Sequence, residues 1–317
     1  MKGRVLVTGA SGFIGRDIVR RLAAGGWLVR AASRQPLAAS GSVEPVALPD
    51  LAGDVDWRPL VDGVTHVVHL AGIAHATRTI PDATYHAVNA RAVGGLADAA
   101  SAAGVMRVVM MSSIRAQCGA SADGVVDEGR TAAPVDAYGR SKLEGERLLA
   151  EALAPSRTQW CVLRPVLVYG PGVKGNMAAL VRLARLPLPL PLGGLSARRS
   201  LLGLANLAGG VEHALLAPGA ANATFLLADP GAMTVPEILS AMRRGLRLRD
   251  AMFSVPMTPL RLAANALGRQ SVWERIAGDL VVSTARLEAS GWKPAETAEQ
   301  AIVRWMQESG GSPSKGI

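Results

Sequence analysis

A glycine-rich turn near the start of the chain limits its possible folds more than any other feature. Arg4–Thr8 is a short β-branched run and Gly12–Ala24 has helical character, and they are joined by Thr8-Gly9-Ala10-Ser11-Gly12-Phe13-Ile14-Gly15. Gly9 allows a tight turn, Gly12 lets backbone approach a pyrophosphate, and Gly15 lets the helix pack closely on the strand. The helix N-terminus then offers amides and a favourable dipole to an anion. The pattern predicts a dinucleotide-binding unit, with a purely structural glycine turn as the alternative.

Strand-like and helix-like segments alternate through the first half of the chain, which is typical of a parallel sheet wrapped by helices. Val105–Met111 is almost uninterruptedly apolar, as expected for a strand buried on both faces. The other predicted strands of this half are Trp27–Ala32, Val43–Leu48, Thr65–Leu70 and Gln159–Leu163, and the predicted helices are Gly12–Ala24, Asp82–Ala103 and one through Tyr138 to about Ala154.

After Gly170-Pro171-Gly172 the pattern becomes less regular. Leu201–Leu216 and Ala223–Leu227 are interpreted as a return to the sheet, and helices are predicted over Asn176–Leu186, Thr234–Arg244 and Pro256–Leu267. We expect an α/β fold, a Rossmann-type doubly wound parallel sheet with a smaller α/β substrate-binding lobe. The predicted division is a dinucleotide-binding domain over 1–169 and about 200–228, a lobe over 170–199 and 229–308, and a flexible tail over 309–317.

Composition excludes several partners. The formal net charge is +9, yet the arginines are spread along the chain and only three tyrosines and three phenylalanines could stack on bases. We therefore expect no nucleic acid and attribute part of the excess charge to small phosphorylated ligands. The apolar stretch Met177–Leu195 contains Arg182, Arg185 and three prolines, so no membrane insertion is expected.

The cysteines and the first residues predict a cytoplasmic protein. Cys118 and Cys161 have no metal-ligand spacing and suggest no disulfide framework, so we expect no metal and a reduced setting. Met1–Val7 runs directly into the first strand and leaves no room for a signal peptide.

Tyr138 and Lys142 lie four residues apart, which places both side chains on one helix face. The lysine charge is expected to favour the phenolate and lower the pKa of the tyrosine, so that this hydroxyl can give or take a proton near neutral pH. The Ser112-Ser113 pair precedes them and follows a buried strand, which adds a candidate hydroxyl. The combination predicts an enzyme.

The second predicted strand ends in Ala32-Ser33-Arg34, without a carboxylate. NAD-selective folds place an acidic residue there to bind the ribose hydroxyls, whereas an arginine accommodates a 2′-phosphate. Ser33 and Arg34 therefore favour NADP(H), and NAD(H) remains possible if Arg34 is an ordinary surface residue.

The ordered motifs resemble the extended short-chain dehydrogenase/reductase family, the nucleotide-sugar epimerases, dehydratases and reductases. The matching segments cover nearly the whole chain; they are Thr8–Gly15, Asp50-Leu51, His69–Gly72, Asn89, Met111–Ser113, Tyr138 with Lys142, Arg164–Gly172, and Arg199 with Asn206. Ser112–Arg115, Gly172–Asn176 and Pro187–Leu192 look like a branch linked to bacterial surface polysaccharide, which includes UDP-HexNAc 4-epimerases and UDP-4-keto-6-deoxy-HexNAc 4-reductases.

This resemblance implies roles for individual residues. Catalysis would fall to Ser113, Tyr138 and Lys142. The cofactor would contact Gly9, Ser11, Gly12, Phe13, Ile14, Gly15, Ser33, Arg34, Asp50, Leu51, Leu70, Ala71, Gly72, Asn89, Tyr138, Lys142, Pro165 and Val168. The nucleotide sugar, a UDP-sugar, would contact Ser112, Asn176, Arg199, Arg275 and Asp279. A homodimer is also implied.

The segment after the serine pair departs from the family pattern. In better-known epimerases this segment ends in Tyr-Gly, whereas here it ends in Cys118-Gly119, and the usual count back reaches Ile114. We assign the catalytic hydroxyl to Ser113 by assuming one extra loop residue, with Ser112 as the alternative. His75 could face the sugar or be a surface residue.

Four functions are compatible with these motifs. A reductase would deliver hydride from NADPH to a 4-keto sugar and is favoured by the missing carboxylate, whereas a 4-epimerase would retain NAD⁺. A dehydratase is disfavoured because Ile114–Gln117 lacks a carboxylate pair. A cofactor-sensing regulator is disfavoured because Tyr138 and Lys142 are both present.

Overall fold

A seven-stranded parallel sheet forms the centre of the protein. The structure is a computed structural model that describes residues 2–35, 37–74, 80–250, 252–255 and 277–310. The sheet has the order β11-β7-β5-β4-β1-β2-β3 and every neighbouring pair is parallel. Its strands are β1 (Arg4–Thr8), β2 (Leu28–Ser33), β3 (Val43–Ala47), β4 (His66–His69), β5 (Arg107–Met111), β7 (Gln159–Pro165) and β11 (Ala223–Leu227).

Helices cover both faces of this sheet, because successive side chains of a strand point to opposite faces and both sets are apolar. Val5 and Val7 join a buried cluster with Ile18 on one face, whereas Leu6 joins a second cluster with Leu149 on the other. The helices of the first cluster are α1 (Phe13–Ala24) and α7 (Leu204–Leu216); those of the second are α2 (Arg58–Val61), α4 (Ala92–Ala102) and α5 (Ala137–Leu153). The doubly wound Rossmann-type prediction is confirmed.

A third buried cluster lies outside the sheet. It joins Met177 of one helix to Leu239 and Met242 of a second and to Ile302 and Trp305 of a third. These helices are α6 (Gly175–Ala184), α8 (Val235–Gly245) and α10 (Ala298–Gly310), and α9 (Ala285–Ala289) packs beside β11. Three two-stranded sheets accompany them: β8 (Leu167–Tyr169) with β10 (Leu201–Gly203), β9 (Arg198–Arg199) with β12 (Met233–Thr234), and β6 (Val125–Val126) with β13 (Val281–Val282).

The predicted strands of the central sheet all form, with ends within two residues of the predicted ends. The predicted return to the sheet over Leu201–Leu216 and Ala223–Leu227 forms in part. Ala223–Leu227 is the edge strand β11, and α7 packs in the same buried cluster as the sheet, whereas Leu201–Gly203 pairs with β8 outside it. Residues 309 and 310 belong to α10 rather than to a tail. The predicted helix Pro256–Leu267 lies outside the described residues.

The long helix predicted over Asp82–Ala103 forms with an irregularity. It runs as α3 (Asp82–His86), one π-helical turn (Ala87–Arg91) and then α4. Such a turn inserts one extra residue into the helical ladder and is frequent at functional sites. Among the described residues, none lies in a helix long and apolar enough to cross a membrane.

Helix α5 packs directly against the backbone of two neighbouring segments. A Cβ atom added at Gly145 would lie 2.2 Å from the backbone oxygen of Asn89 in the π-helical turn, and one added at Gly139 would lie 2.2 Å from that of Arg115. Both positions therefore need glycine, and together they fix how deeply α5 sits beside the sheet.

We predict that Gly145→Ala destabilises the protein by about 1–3 kcal/mol, because the added methyl group meets backbone rather than a movable side chain. Gly94→Ala is the matched control. Gly94 is also helical, and its added Cβ would meet only Leu148 at an ordinary 3.7 Å. This control should be neutral or stabilising by up to about 1 kcal/mol. Urea unfolding of both variants gives the comparison, and equal effects would contradict the close packing at Gly145.

Candidate active site

The glycine turn at the end of β1 has the geometry that its sequence predicts. Gly9 has φ +70°, and a Cβ there would lie 2.8 Å from the amide nitrogen of Ala71. A Cβ at Gly15 would lie 2.2 Å from the backbone oxygen of Gly9, so the first turn of α1 packs directly on the loop. Helix α1 begins after Gly12 with no side-chain cap and no acidic residue in its first turn. Its first amides are thus available to an anion, which fits the pyrophosphate of a dinucleotide.

The residues predicted to face the adenosine lie at the ends of β2 and β3. The Ser33 side chain is buried and donates a hydrogen bond to the backbone oxygen of Gln35, while Arg34 beside it is exposed. Asp50 is exposed and its carboxylate accepts from the backbone N–H of Ala52 at 3.1 Å, whereas Leu51 is buried. The structure therefore places a cationic, carboxylate-free strand end beside the glycine turn.

Ser113 and Tyr138 are brought together at the carboxyl end of β5. The Ser113 side chain caps a short 3₁₀ turn, Ile114–Ala116, by accepting from the backbone N–H of Arg115 at 3.1 Å. The same side chain is hydrogen-bonded to the phenol of Tyr138, which lies in the first turn of α5. Asp136 caps this helix by accepting from the backbone N–H of Gly139 at 2.7 Å. These two caps therefore fix the positions of Ser113 and Tyr138 relative to each other.

The pKa of Tyr138 shifts in the direction opposite to the expected one. Burial of Tyr138 raises the pKa of its phenol, and this outweighs the hydrogen bond from Ser113, which lowers it. The prediction that Lys142 sets a lowered tyrosine pKa was therefore wrong for this structure, because helical spacing says nothing about how deeply the ring is buried. The phenol is protonated at neutral pH.

Lys142 is buried one helical turn after Tyr138. Its ammonium donates to the backbone oxygen of Met111 at 3.1 Å and lies beside Gly72, where an added Cβ would be 3.2 Å from the lysine Nζ. Burial lowers the pKa of Lys142 to about 8, partly offset by the carboxylate of Glu146. The amine is consequently charged at neutral pH but close to its titration midpoint.

Asn89 holds the loop after β4 in place. Its side chain accepts from the backbone N–H of Ile73 at 2.9 Å and donates to the Ile73 oxygen at 3.0 Å and to the Ser141 hydroxyl at 3.1 Å. Leu70, Ala71 and Gly72 precede this tie, so Asn89 links the predicted cofactor-lining loop to α5. Asn89 therefore positions this loop against α5.

Ser112 points away from Ser113 and enters a buried polar network. Its hydroxyl donates to Glu146 of α5, which is ion-paired with Arg164 of β7. Arg164 also donates to the side-chain oxygen of Gln117. The sequence analysis assigned no role to Glu146 or Gln117. The position of Glu146 one turn after Lys142 was the available signal.

The residues predicted to hold the nucleotide sugar are less closely gathered. Asn176 is exposed in the first turn of α6. Arg199 donates to the backbone oxygens of Gly278 and Ala120, both at 2.7 Å, and the Asp279 carboxylate accepts from the backbone N–H of Arg198 at 2.5 Å. In this structure Arg199 and Asp279 thus tie loops together at the edge of the lobe.

The remaining predicted residues divide into two groups. Pro165 ends β7 in a buried position and Val168 lies half-buried in β8, both on the segment that leaves the sheet for the lobe. Arg275 and His75 lie outside the described residues. Among the described residues, no group of three or more His, Cys, Asp or Glu side chains could hold a metal ion.

A cavity of about 770 Å³ opens on the outer side of the glycine turn, between α1, the segment after β8 and α10. Ser11 and Gly12 line one end, and Arg16, Lys174 and Arg304 line its walls. Ser113, Tyr138 and Lys142 do not line this cavity. The predicted catalytic side chains therefore lie apart from this cavity, at the end of β5 and in α5.

Comparison with known proteins agrees with this geometry. The model of the NAD dependent epimerase/dehydratase family matches residues 5–227. A UDP-glucose 4-epimerase of Vibrio cholerae is 30% identical over 314 residues, which are 97% of this chain and 95% of that protein. A 4-hydroxy-2-methyl-3-oxo-4-farnesyl-3,4-dihydroquinoline-1-oxide ketoreductase of Stigmatella aurantiaca is 25% identical over 90% of this chain and 85% of that protein.

Among solved structures, MoeE5 in complex with UDP-glucose and NAD is similar over 97% of this chain and 99% of that chain, with 25% identity and a TM-score of 0.73. The matched family spans β1 to β11, and so includes the glycine turn, Ser113, Tyr138 and Lys142. The chain is therefore an enzyme that belongs to the NAD dependent epimerase/dehydratase family, within the extended short-chain dehydrogenase/reductases.

Proposed function

We propose that this enzyme transfers hydride at carbon 4 of a UDP-sugar, and that it works as a 4-keto reductase with NADPH in the synthesis of surface polysaccharide precursors. The observation that carries the proposal is the hydrogen-bonded Ser113–Tyr138 pair at the end of β5, with the buried Lys142 amine one turn further along α5. The proposal also draws on the UDP-sugar ligand of MoeE5 and the epimerase activity named for the Vibrio cholerae relative.

Each catalytic residue has a definite task in a reduction. A bound nicotinamide dinucleotide supplies the hydride. Tyr138 holds a proton at its phenol oxygen, and its raised pKa keeps that proton in place until the developing alkoxide of the sugar takes it. Ser113 hydrogen-bonds the same sugar oxygen and orients it towards the phenol. The Lys142 ammonium would bind the nicotinamide ribose and contribute positive charge beside the developing anion.

The end of β2 favours reduction with NADPH. The carboxylate-free end of β2, with Arg34 exposed beside Ser33, suits a 2′-phosphate. A 4-epimerase with retained NAD is the second candidate, supported by the similarity to the Vibrio cholerae enzyme over 97% of this chain.

Purified enzyme with UDP-sugars and reduced or oxidised dinucleotide distinguishes these functions. A reductase consumes NADPH only when a 4-keto sugar is present, as seen at 340 nm. An epimerase interconverts UDP-sugars without net cofactor consumption, which chromatography of the sugar products detects. Dinucleotide binding without turnover of either kind would contradict the proposal and indicate a sensor. A homodimer and a cytoplasmic location stay predictions.

We predict that Tyr138→Phe lowers turnover at least about 10³-fold, because it removes only the oxygen that carries the transferred proton. Dinucleotide affinity, measured by calorimetry, should change less than about threefold, since the ring and its packing remain. Tyr85→Phe is a matched control, because its ring lies 6.1 Å from that of Tyr138 but has no assigned proton. Full activity of Tyr138→Phe would refute the assignment.

We predict that NADPH affinity weakens as the pH rises through about 8, where the buried Lys142 ammonium loses its proton. Below that pH the charge is present; above it the charge and one donor are lost, so affinity at pH 9 should be up to about tenfold lower than at pH 7. Lys142→Met should bind more weakly and show no such slope. The same slope in this variant would assign the pH dependence to another group.

We predict that Ser33→Asp shifts preference from NADPH towards NADH by at least about tenfold in kcat/KM, because a carboxylate repels the 2′-phosphate. Ser33→Ala removes the same hydroxyl without adding charge, so its preference should change less than that of Ser33→Asp and separates loss of the hydroxyl from repulsion by the carboxylate. Melting temperatures report any stability that is lost by placing a carboxylate at this buried position. An unchanged preference in Ser33→Asp would show that the end of β2 does not select the cofactor.

A further inference from the structure

A buried ion pair lies beneath the catalytic groups. The side chains of Glu146 and Arg164 are only 7% and 9% exposed, and the Arg164 Nε atom lies 3.0 and 3.1 Å from the two carboxylate oxygens. The carboxylate also accepts from the Ser112 hydroxyl, and the guanidinium also donates to Gln117. Gln117 in turn donates to the backbone oxygens of Asp127 and Arg130. Each charged group in the network is thus hydrogen-bonded by a neighbour.

The members of this network come from the segments that carry the reaction. Ser112 is bonded through the backbone to Ser113 at the end of β5, and Gln117 ends the 3₁₀ turn that Ser113 caps. Glu146 follows Lys142 by one turn and Tyr138 by two turns of α5, so it shares their helix face. Arg164 immediately precedes Pro165 at the end of β7. The network therefore joins the serine segment to the tyrosine helix from below.

The surroundings of Lys142 make Glu146 electrostatically important. Burial disfavours the ammonium, and the Glu146 carboxylate favours it. From β4, His69 faces the same ammonium; burial and the lysine charge lower the pKa of His69 to about 3, so this histidine is neutral and adds no charge. From β5, the backbone oxygen of Met111 accepts a hydrogen bond from the amine. Arg164 is the cation that faces Glu146 itself.

We infer that Glu146 is a positioning residue for the reaction, because its carboxylate fixes the Ser112-Ser113 segment against α5 and serves as the counter-charge of the Lys142 ammonium. This inference rests on the proposed function of Tyr138, Ser113 and Lys142. Buried ion pairs contribute little net stability in many proteins, since the cost of desolvation offsets their attraction. A purely structural pair should thus be replaceable as a unit, whereas a counter-charge should not.

The test compares Glu146→Gln with a variant that also carries Arg164→Gln. The first removes the negative charge and keeps the shape; the second removes both charges and leaves no unpaired ion. Glu151→Gln is the matched control, because Glu151 lies on the same helix and pairs with Arg147 at the exposed surface. All variants are labelled with ¹³C-lysine, and the Cε resonances are followed from pH 6 to 11. The chain has five lysines, so substitution of each other lysine by arginine identifies the Lys142 signal.

In the wild type, the Lys142 signal should titrate near pH 8. In both variants that lack the carboxylate the midpoint should fall by about one pH unit, since removal of a nearby opposite charge disfavours the ammonium. Turnover of Glu146→Gln at pH 7.5 should fall about tenfold to a hundredfold, with KM for the UDP-sugar within about threefold. In the double variant the melting temperature should recover towards wild type while the low midpoint and low turnover persist. Glu151→Gln should match the wild type throughout.

An unchanged Lys142 midpoint in Glu146→Gln, or recovery of the midpoint and of turnover in the double variant, would overturn the inference and leave an ordinary structural ion pair. Should Glu146→Gln fail to fold, the double variant carries the same midpoint measurement. The titration needs no substrate. Absence of turnover with every UDP-sugar would therefore contradict the proposed function, while the midpoint would still decide whether Glu146 sets the charge of Lys142.

Discussion

The close approach of α5 to the backbone of two neighbouring segments is the constraint on which the site depends. At Gly139 the helix meets the turn that follows β5, and at Gly145 it meets the π-helical turn that carries Asn89. A side chain at either position would meet a backbone oxygen at 2.2 Å, so α5 could not keep its present distance from these segments. The hydrogen-bonded caps at Asp136 and Ser113 then refine an alignment that the two glycines already impose.

Burial, more than pairing with opposite charges, determines the pKa shifts of Tyr138 and Lys142. It raises the pKa of the Tyr138 phenol and lowers that of the Lys142 amine, because burial favours the uncharged form of each group. A phenol in water would be a stronger acid, but it would not be held against a fixed donor such as Ser113. The same burial makes the ionic partners under α5 necessary, because an isolated charge there would be strongly disfavoured.

The central sheet and the glycine turn could be predicted from the sequence because their signals are local. Arg4–Thr8 and Ala223–Leu227 form strands at the predicted residues, and Gly9 and Gly15 have the geometry that their spacing requires. The paired two-residue strands, such as Arg198–Arg199 with Met233–Thr234, could not be predicted, since their pairing depends on distant chain segments. The direction of the Tyr138 pKa shift and the role of Glu146 could not be predicted either. Both depend on depth within the folded protein, which residue spacing does not encode.

The order of the chain has a consequence for how this protein is made. The core of the smaller lobe joins Met177 of α6 to Ile302 and Trp305 of α10, which are more than a hundred residues apart in the sequence. The central sheet is complete once β11 has been synthesised, so it can begin to fold while the ribosome is still at work. The core of the lobe has to wait for α10, and until then the apolar side chains of α6 and α8 that pack with it are exposed to chaperones.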